Sequence, residues 1–199
     1  PHTHLLIEAG RRLNTTSYTH EKPKKPPAFC MALRKYLRNG VVEEIRQHEF
    51  ERIVTIEVST GEGKFRLISE LFANGNIILV NPENKILQAL TYRRMRDRNI
   101  LRGETFQHAP PMGRNPLNLS RQDFYEVREL GQLEAVKGLT RFLSVGGLYA
   151  EEILLRADID KDTQCKNLTE KEIERVFDQL QELLSTIKTE NAEPCIVVD

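Results

Sequence analysis

Five stretches with strand character follow one another between Val41 and Thr91, with no helical run among them: Val41–Gln47, Arg52–Val58, Lys64–Phe72, Asn76–Val80 and Lys85–Thr91. Val54, Ile56 and Val58 alternate with polar neighbours, the period of a half-buried strand. The breaks at 61–63 (Gly-Glu-Gly), 73–76 (Ala-Asn-Gly-Asn) and 81–84 (Asn-Pro-Glu-Asn) all carry turn chemistry. Short strands joined this tightly pair antiparallel, as a meander. This half of the chain therefore predicts a β-rich domain, a sandwich or a partly open barrel.

The flanks are different. His4–Glu8 reads as a buried strand, Ala9-Gly10 as its turn and Arg11–Ser17 as its antiparallel partner. A strand that starts so close to the first residue predicts that an upstream segment is missing, and Pro194–Asp199 reads as a further strand cut as it begins. Pro26 and Pro27 suit the cap and first position of a helix over Ala28–Asn39, which stops at Gly40. Phe29, Leu33 and Leu37, with Ala32 and Tyr36 beside them, form its core face; Arg34, Lys35 and Arg38 lie on the other side.

Residues 103–113 are irregular and rich in Pro and Gly, and beyond them the pattern turns helical. Ser120 and Asp123 resemble a capping box, and Thr169 with Glu172 is a full one. Helices are expected over Arg121–Glu129, Leu133–Leu143 and Leu148–Ala157, with a tight hairpin at Ser144–Gly147. A last helix opens after Thr169 and carries Ile173, Val176, Phe177, Leu180, Leu183, Leu184 and Ile187 at helical spacing. The expected fold class is α+β. It comprises a β-rich domain over 1–113, a small helical domain over 114–190 and the start of a further strand over 191–199, with the boundary between Phe106 and Ser120.

Charge bears on function more through its distribution than its total. The 29 basic and 29 acidic residues cancel. Residues 1–40 nevertheless carry eight Lys or Arg against two Glu, and residues 169–193 carry three against seven acids. That polarity suits a protein that turns one face to nucleic acid and another to solvent or protein. The three cysteines are far apart and form no CxxC, so no metal site is expected and a reducing compartment is favoured. No apolar run approaches membrane-spanning length and no signal-peptide pattern opens the chain, so no membrane partner is expected. His48 and His108 lack partners at metal or catalytic spacing and read as ordinary surface or loop histidines.

The sharpest local signal is Tyr92–Gly103, with five arginines (Arg93, Arg94, Arg96, Arg98, Arg102) around one acid, Asp97. Arginine's planar fork fits phosphates and guanine edges. Asp97 is an acceptor among donors, able to orient Arg98 or to accept from a base amino group or a ribose 2′-hydroxyl. Alternation along an extended segment would send Arg94, Arg96 and Arg98 to one side. Asp97 and Arg98 act together only if the strand ends before Asp97 and the chain turns. The expected site is thus an exposed loop carrying Asp97, Arg98, Arg96 and Arg94. Further RNA or phosphate contacts are expected at Arg34, Lys35 and Arg38, and at the backbone of Gly146 and Gly147. Strain is expected from Gly147→Val.

Residues 143–157 resemble the helix–two-turn–helix of formamidopyrimidine-DNA glycosylases, with Gly147 where those proteins carry a phosphate-gripping asparagine. Pro1 is followed by His2 and His4 rather than by acids, so the glycosylase nucleophile is not matched. Leu5–Arg12, Pro26–Leu37, Phe50–Val54, Glu70–Leu79 and Arg96–Arg98 resemble the NFACT family of RqcH/NEMF-type ribosome quality-control factors, long labelled fibronectin-binding proteins. That resemblance implies a glycosylase-like β domain followed by a helix–hairpin–helix domain. It further implies a cytoplasmic, non-enzymatic module that binds tRNA and the rRNA of large ribosomal subunits carrying stalled peptidyl-tRNA. Such a module promotes template-free tailing of the nascent chain, with no cofactor and no small-molecule substrate. The family's Asp-Arg pair is matched here to Asp97 and Arg98. The alternatives are a DNA-repair glycosylase-like protein and an extracellular fibronectin-binding adhesin.

Overall fold

The computed structural model describes residues 3–19 and 21–188; the strand expected at 194–199 lies outside them. The first elements are β1 (His4–Glu8), β2 (Arg12–Thr16) and α1 (Ala28–Leu37). Then come β3 (Val41–Gln47), β4 (Ile53–Thr60), β5 (Gly63–Glu70), β6 (Asn76–Val80), β7 (Ile86–Ala89), β8 (Arg93–Arg94) and β9 (Asn99–Ile100). Helices α2 (Arg121–Phe124), α3 (Ala135–Phe142), α4 (Gly147–Arg156) and α5 (Glu170–Lys188) follow within the described residues. Two units separate, residues 1–110 and 111–199. The architecture is α+β.

In the first unit β3 to β7 form an antiparallel meander in sequence order, flanked by two hairpins, β1–β2 and β8–β9. Alternation loads both faces of the meander with apolar side chains. Ile56, Val58, Phe65, Leu67 and Leu79 face one way and pack with Ile7 and Leu13 of the first hairpin and with Phe29, Leu33, Tyr36 and Leu37 of α1. Ile53, Ile68, Ile78, Val80, Ile86 and Ala89 face the other way and pack with Ile100 and Phe106. The cross-strand register agrees: Ile56 pairs with Leu67 and Leu67 with Leu79, whereas Thr55 pairs with Ile68 and Ile68 with Ile78. Burial on both faces explains why β5 and β6 lack clean polar alternation.

Two glycines clamp the first hairpin to this sheet. Gly10 and Gly75 both take positive φ, at 76° and 60°, and a Cβ on Gly75 would lie 1.8 Å from the Gly10 nitrogen. The Gly10 N–H donates to the Glu70 carbonyl at 3.0 Å. Only glycine permits two backbones to meet this closely in that conformation. At the far edge, β3 carries a bulge between Val42 and Glu44, and all seven of its residues are exposed. Val41 is 66% exposed, Val42 55% and Ile45 52%.

In the second unit both capping boxes form. Ser120 Oγ accepts from Asp123 N at 3.1 Å and Thr169 Oγ1 from Glu172 N at 3.3 Å, with each acid reaching back to the cap. The helix expected over Arg121–Glu129 is α-helical only to Phe124 and continues as 3-10 turns through Leu130. The tighter turn has three residues per repeat and brings Phe124 and Val127, both buried, to the same side. Phe124 packs edge-on to Phe142 and tilted against Phe177, joining α2, α3 and α5 in one core.

Candidate nucleic-acid interface

The arginine-rich stretch folds as a hairpin. Arg93 pairs with Ile100 and Arg94 with Asn99, and the Met95 N–H closes the turn on the Arg98 carbonyl at 3.1 Å. Its base is fastened by Asn76, a buried residue whose Nδ2 donates to the Thr91 carbonyl at 2.8 Å and whose Oδ1 accepts from the Thr91 N–H at 3.0 Å. Arg94, Arg96 and Asp97 are exposed along this hairpin, with Met95 exposed between them and Tyr92 exposed just before. Guanidinium groups interleaved with an aromatic and a thioether can contact phosphate and stack against bases.

Arg98 is not on that surface, and the expected exposed Asp97–Arg98 pair does not form. The chain does turn where expected, but the turn resets the alternation. Arg98 falls on the same side as Ile100 and points inward, while Arg94 with Asn99 points outward. The Arg98 side chain is 5% exposed; its Nη2 lies 2.6 Å from Oε1 of Glu70, itself 7% exposed. Nη1 donates to the Gln107 carbonyl at 3.0 Å. Arg98 thereby ties the hairpin tip to the end of β5 and to the loop beyond β9. Such a side chain holds a surface in position and is not part of it.

The other cationic candidates are separate from this hairpin. Arg34 and Lys35 are exposed on α1 and Arg38 at its C-cap, and Lys35 Nζ lies 4.9 Å from the Tyr36 ring centroid. Because α1 covers one face of the meander and the β8–β9 hairpin packs on the other, the two basic groups are not brought together. Gly146 and Gly147 start α4 with no side-chain cap. The strain expected at Gly147 is absent: a Cβ there meets nothing within 4 Å, and neither glycine has positive φ. Gly147 occupies a first helical position, where any ordinary residue has a favourable backbone.

One pair went unrecognised in the sequence. His48, at the end of β3, and His108, beyond β9, stack with ring centroids 3.8 Å apart and planes 7° apart, and Phe106 meets His108 edge-on at 4.9 Å. Burial, reinforced by the positive fields of His48, Arg66, Arg98 and Arg46, lowers the His108 pKa to about 4. It is therefore neutral at pH 7. The residues are sixty positions apart, so no local spacing announces them. Among the described residues no three His, Cys, Asp or Glu side chains group as metal ligands, and no helix is long and apolar enough to cross a membrane.

Comparison with known proteins gives this arrangement a family. A family model described as NFACT N-terminal and middle domains matches residues 2–199. The archaeal Rqc2 homolog aRqcH of Methanocaldococcus jannaschii is 39% identical over 201 residues, spanning 98% of this chain and 30% of that protein. The ribosome quality control complex subunit NEMF homolog of Drosophila melanogaster is 30% identical, over 83% of this chain and 17% of its own length. Among solved structures, the N-terminal part of the fibronectin/fibrinogen-binding protein from Streptococcus suis superposes with a TM-score of 0.66 at 30% identity, covering 88% of this chain and 68% of that one. The chain belongs to the NFACT family, and it spans less than a third of the curated relatives named here.

Proposed function

We propose that this chain is the RNA-binding part of a ribosome-associated quality-control factor, one that engages tRNA and the large ribosomal subunit carrying a stalled peptidyl-tRNA. Membership of a family whose relatives are named for ribosome quality control supports the process. The observation that carries the RNA contact is the β8–β9 hairpin, which exposes Arg94, Arg96 and Asp97 on a backbone anchored by Asn76 and Arg98. The mechanism is positioning: arginines neutralise phosphates while Asp97 accepts from a base or a ribose hydroxyl. Peptide transfer during tailing belongs to the ribosome, so the chain contributes no catalytic side chain. It needs no cofactor and acts in the cytoplasm.

The test is tRNA binding across a salt series, with the full-length protein on large subunits. Arg94→Ala/Arg96→Ala is expected to weaken binding to every tRNA alike and to reduce the salt slope by about one per lost phosphate contact. Asp97→Ala is expected to change preference among tRNAs rather than the slope. Unchanged affinity and slope in the double-arginine variant, with folding intact, would remove the hairpin from the interface.

A further inference from the structure

The stacked histidines are arranged as a ladder that ends at an accessible ring. Phe106 is buried, His108 lies edge-on to it, and His48 is stacked on His108 and left half-exposed. The backbone beneath His48 is fixed. Its N–H donates to the Ile53 carbonyl at 2.8 Å, its carbonyl accepts from the Glu51 N–H at 3.0 Å, and Gln47 Nε2 donates to the Glu51 carbonyl at 2.9 Å. Glu49 takes positive φ at the corner of this turn. His48 therefore has one ring face covered, a backbone that cannot swing away and part of its surface open. Arg46, Arg66 and Arg98 are close enough for their charge to be felt at His108, although Arg98 is buried on Glu70 and Arg46 is paired with Glu44 and Glu57. A flat aromatic surface held in place is what an unpaired base stacks on, irrespective of base identity.

We propose that His48 is a stacking platform for one unpaired base of bound RNA, with His108 and Phe106 as the positioning residues that hold its ring. This rests on the RNA-binding reading above and adds a subsite to it. The assignment explains why two histidines that join no metal-ligand group among the described residues are stacked on one another: His108 supplies a rigid neutral support for the ring of His48.

The experiment uses the 199-residue chain and two unstructured single-stranded RNAs of equal length and charge, one with all bases and one with abasic riboses at its central positions. The wild type is expected to bind the base-bearing RNA about five- to tenfold more tightly, the low end of what one stacked base contributes. His48→Ala is expected to abolish most of that preference and His48→Tyr, which keeps a ring, to restore it, at unchanged salt slope. Wild type binding both RNAs equally, or His48→Ala retaining the full preference, overturns the platform and leaves the arginine hairpin standing. Failure of the wild type to bind either RNA overturns the platform; the hairpin reading is decided separately by the tRNA salt series.

Discussion

Arg98 shows how much a single residue's role depends on where a turn falls. In sequence it is one of five arginines and the second half of an Asp-Arg pair; in the fold it is the inward member. An arginine buried against Glu70 gives up hydration that the ion pair only partly restores, so the pair itself adds little stability, but removing one partner strands the other. Arg98→Ala is therefore expected to cost ~3–5 kcal/mol in urea unfolding. Arg98→Met combined with Glu70→Leu, which empties the site of charge, is expected to recover most of it. Equal losses in the single and double variants would show that the hairpin depends on the charges themselves. None of this was legible from composition, because the parity of a strand end is set by hydrogen bonding at the turn, here Met95 N to Arg98 O. The His48–His108 stack was hidden for a related reason: its partners meet only after the whole meander has formed.

The elements themselves were largely legible. β3 and β6 run over the residues that alternation and turn chemistry assigned to them, Val41–Gln47 and Asn76–Val80. β5 and β7 end earlier than expected, at Glu70 and Ala89, although Leu71 and Leu90 still donate in register to the Arg52 and Ile77 carbonyls. Helix starts were the clearest signals, since a capping box is a local agreement between two side chains and two free N–H groups. Thr169 shows it well: its backbone N–H and hydroxyl both reach Glu172 Oε2 at 2.7 Å, and these bonds hold the Glu172 carboxyl below its usual pKa. Thr169→Ala is expected to cost about 1 kcal/mol, read as a lowered denaturation midpoint with an unchanged slope. A loss near zero would mean that α5 is held by its buried face of Ile173, Val176, Phe177 and Leu180 alone. The break of the second expected helix into 3-10 turns was not foreseeable, because the three-residue spacing of Phe124 and Val127 also fits an α-helical face.

At the scale of the whole molecule, what matters is how little chain joins the two units. Phe106 is buried in the first unit, its N–H on the Asn84 carbonyl, and Ala109 packs against the same cluster. Gly113 already belongs to the second unit: its carbonyl accepts from Ser144 Oγ at 2.9 Å, and a Cβ there would strike the Leu143 backbone. The Pro/Gly loop that reads as one long linker is thus anchored over most of its length. Limited proteolysis is expected to cut first around Met112, which is exposed, and to spare 103–109; early cleavage within 103–109 would contradict this. The open edge of the meander has a different consequence, one for the behaviour of many copies together. A straight strand displaying Val41, Val42 and Ile45 would template the next molecule and seed a fibril. The bulge at Val42/Glu44 twists that edge out of register, and Glu43, Glu44 and Arg46 set charge along it. That one extra residue is expected to act as a gatekeeper against strand-to-strand association along β3.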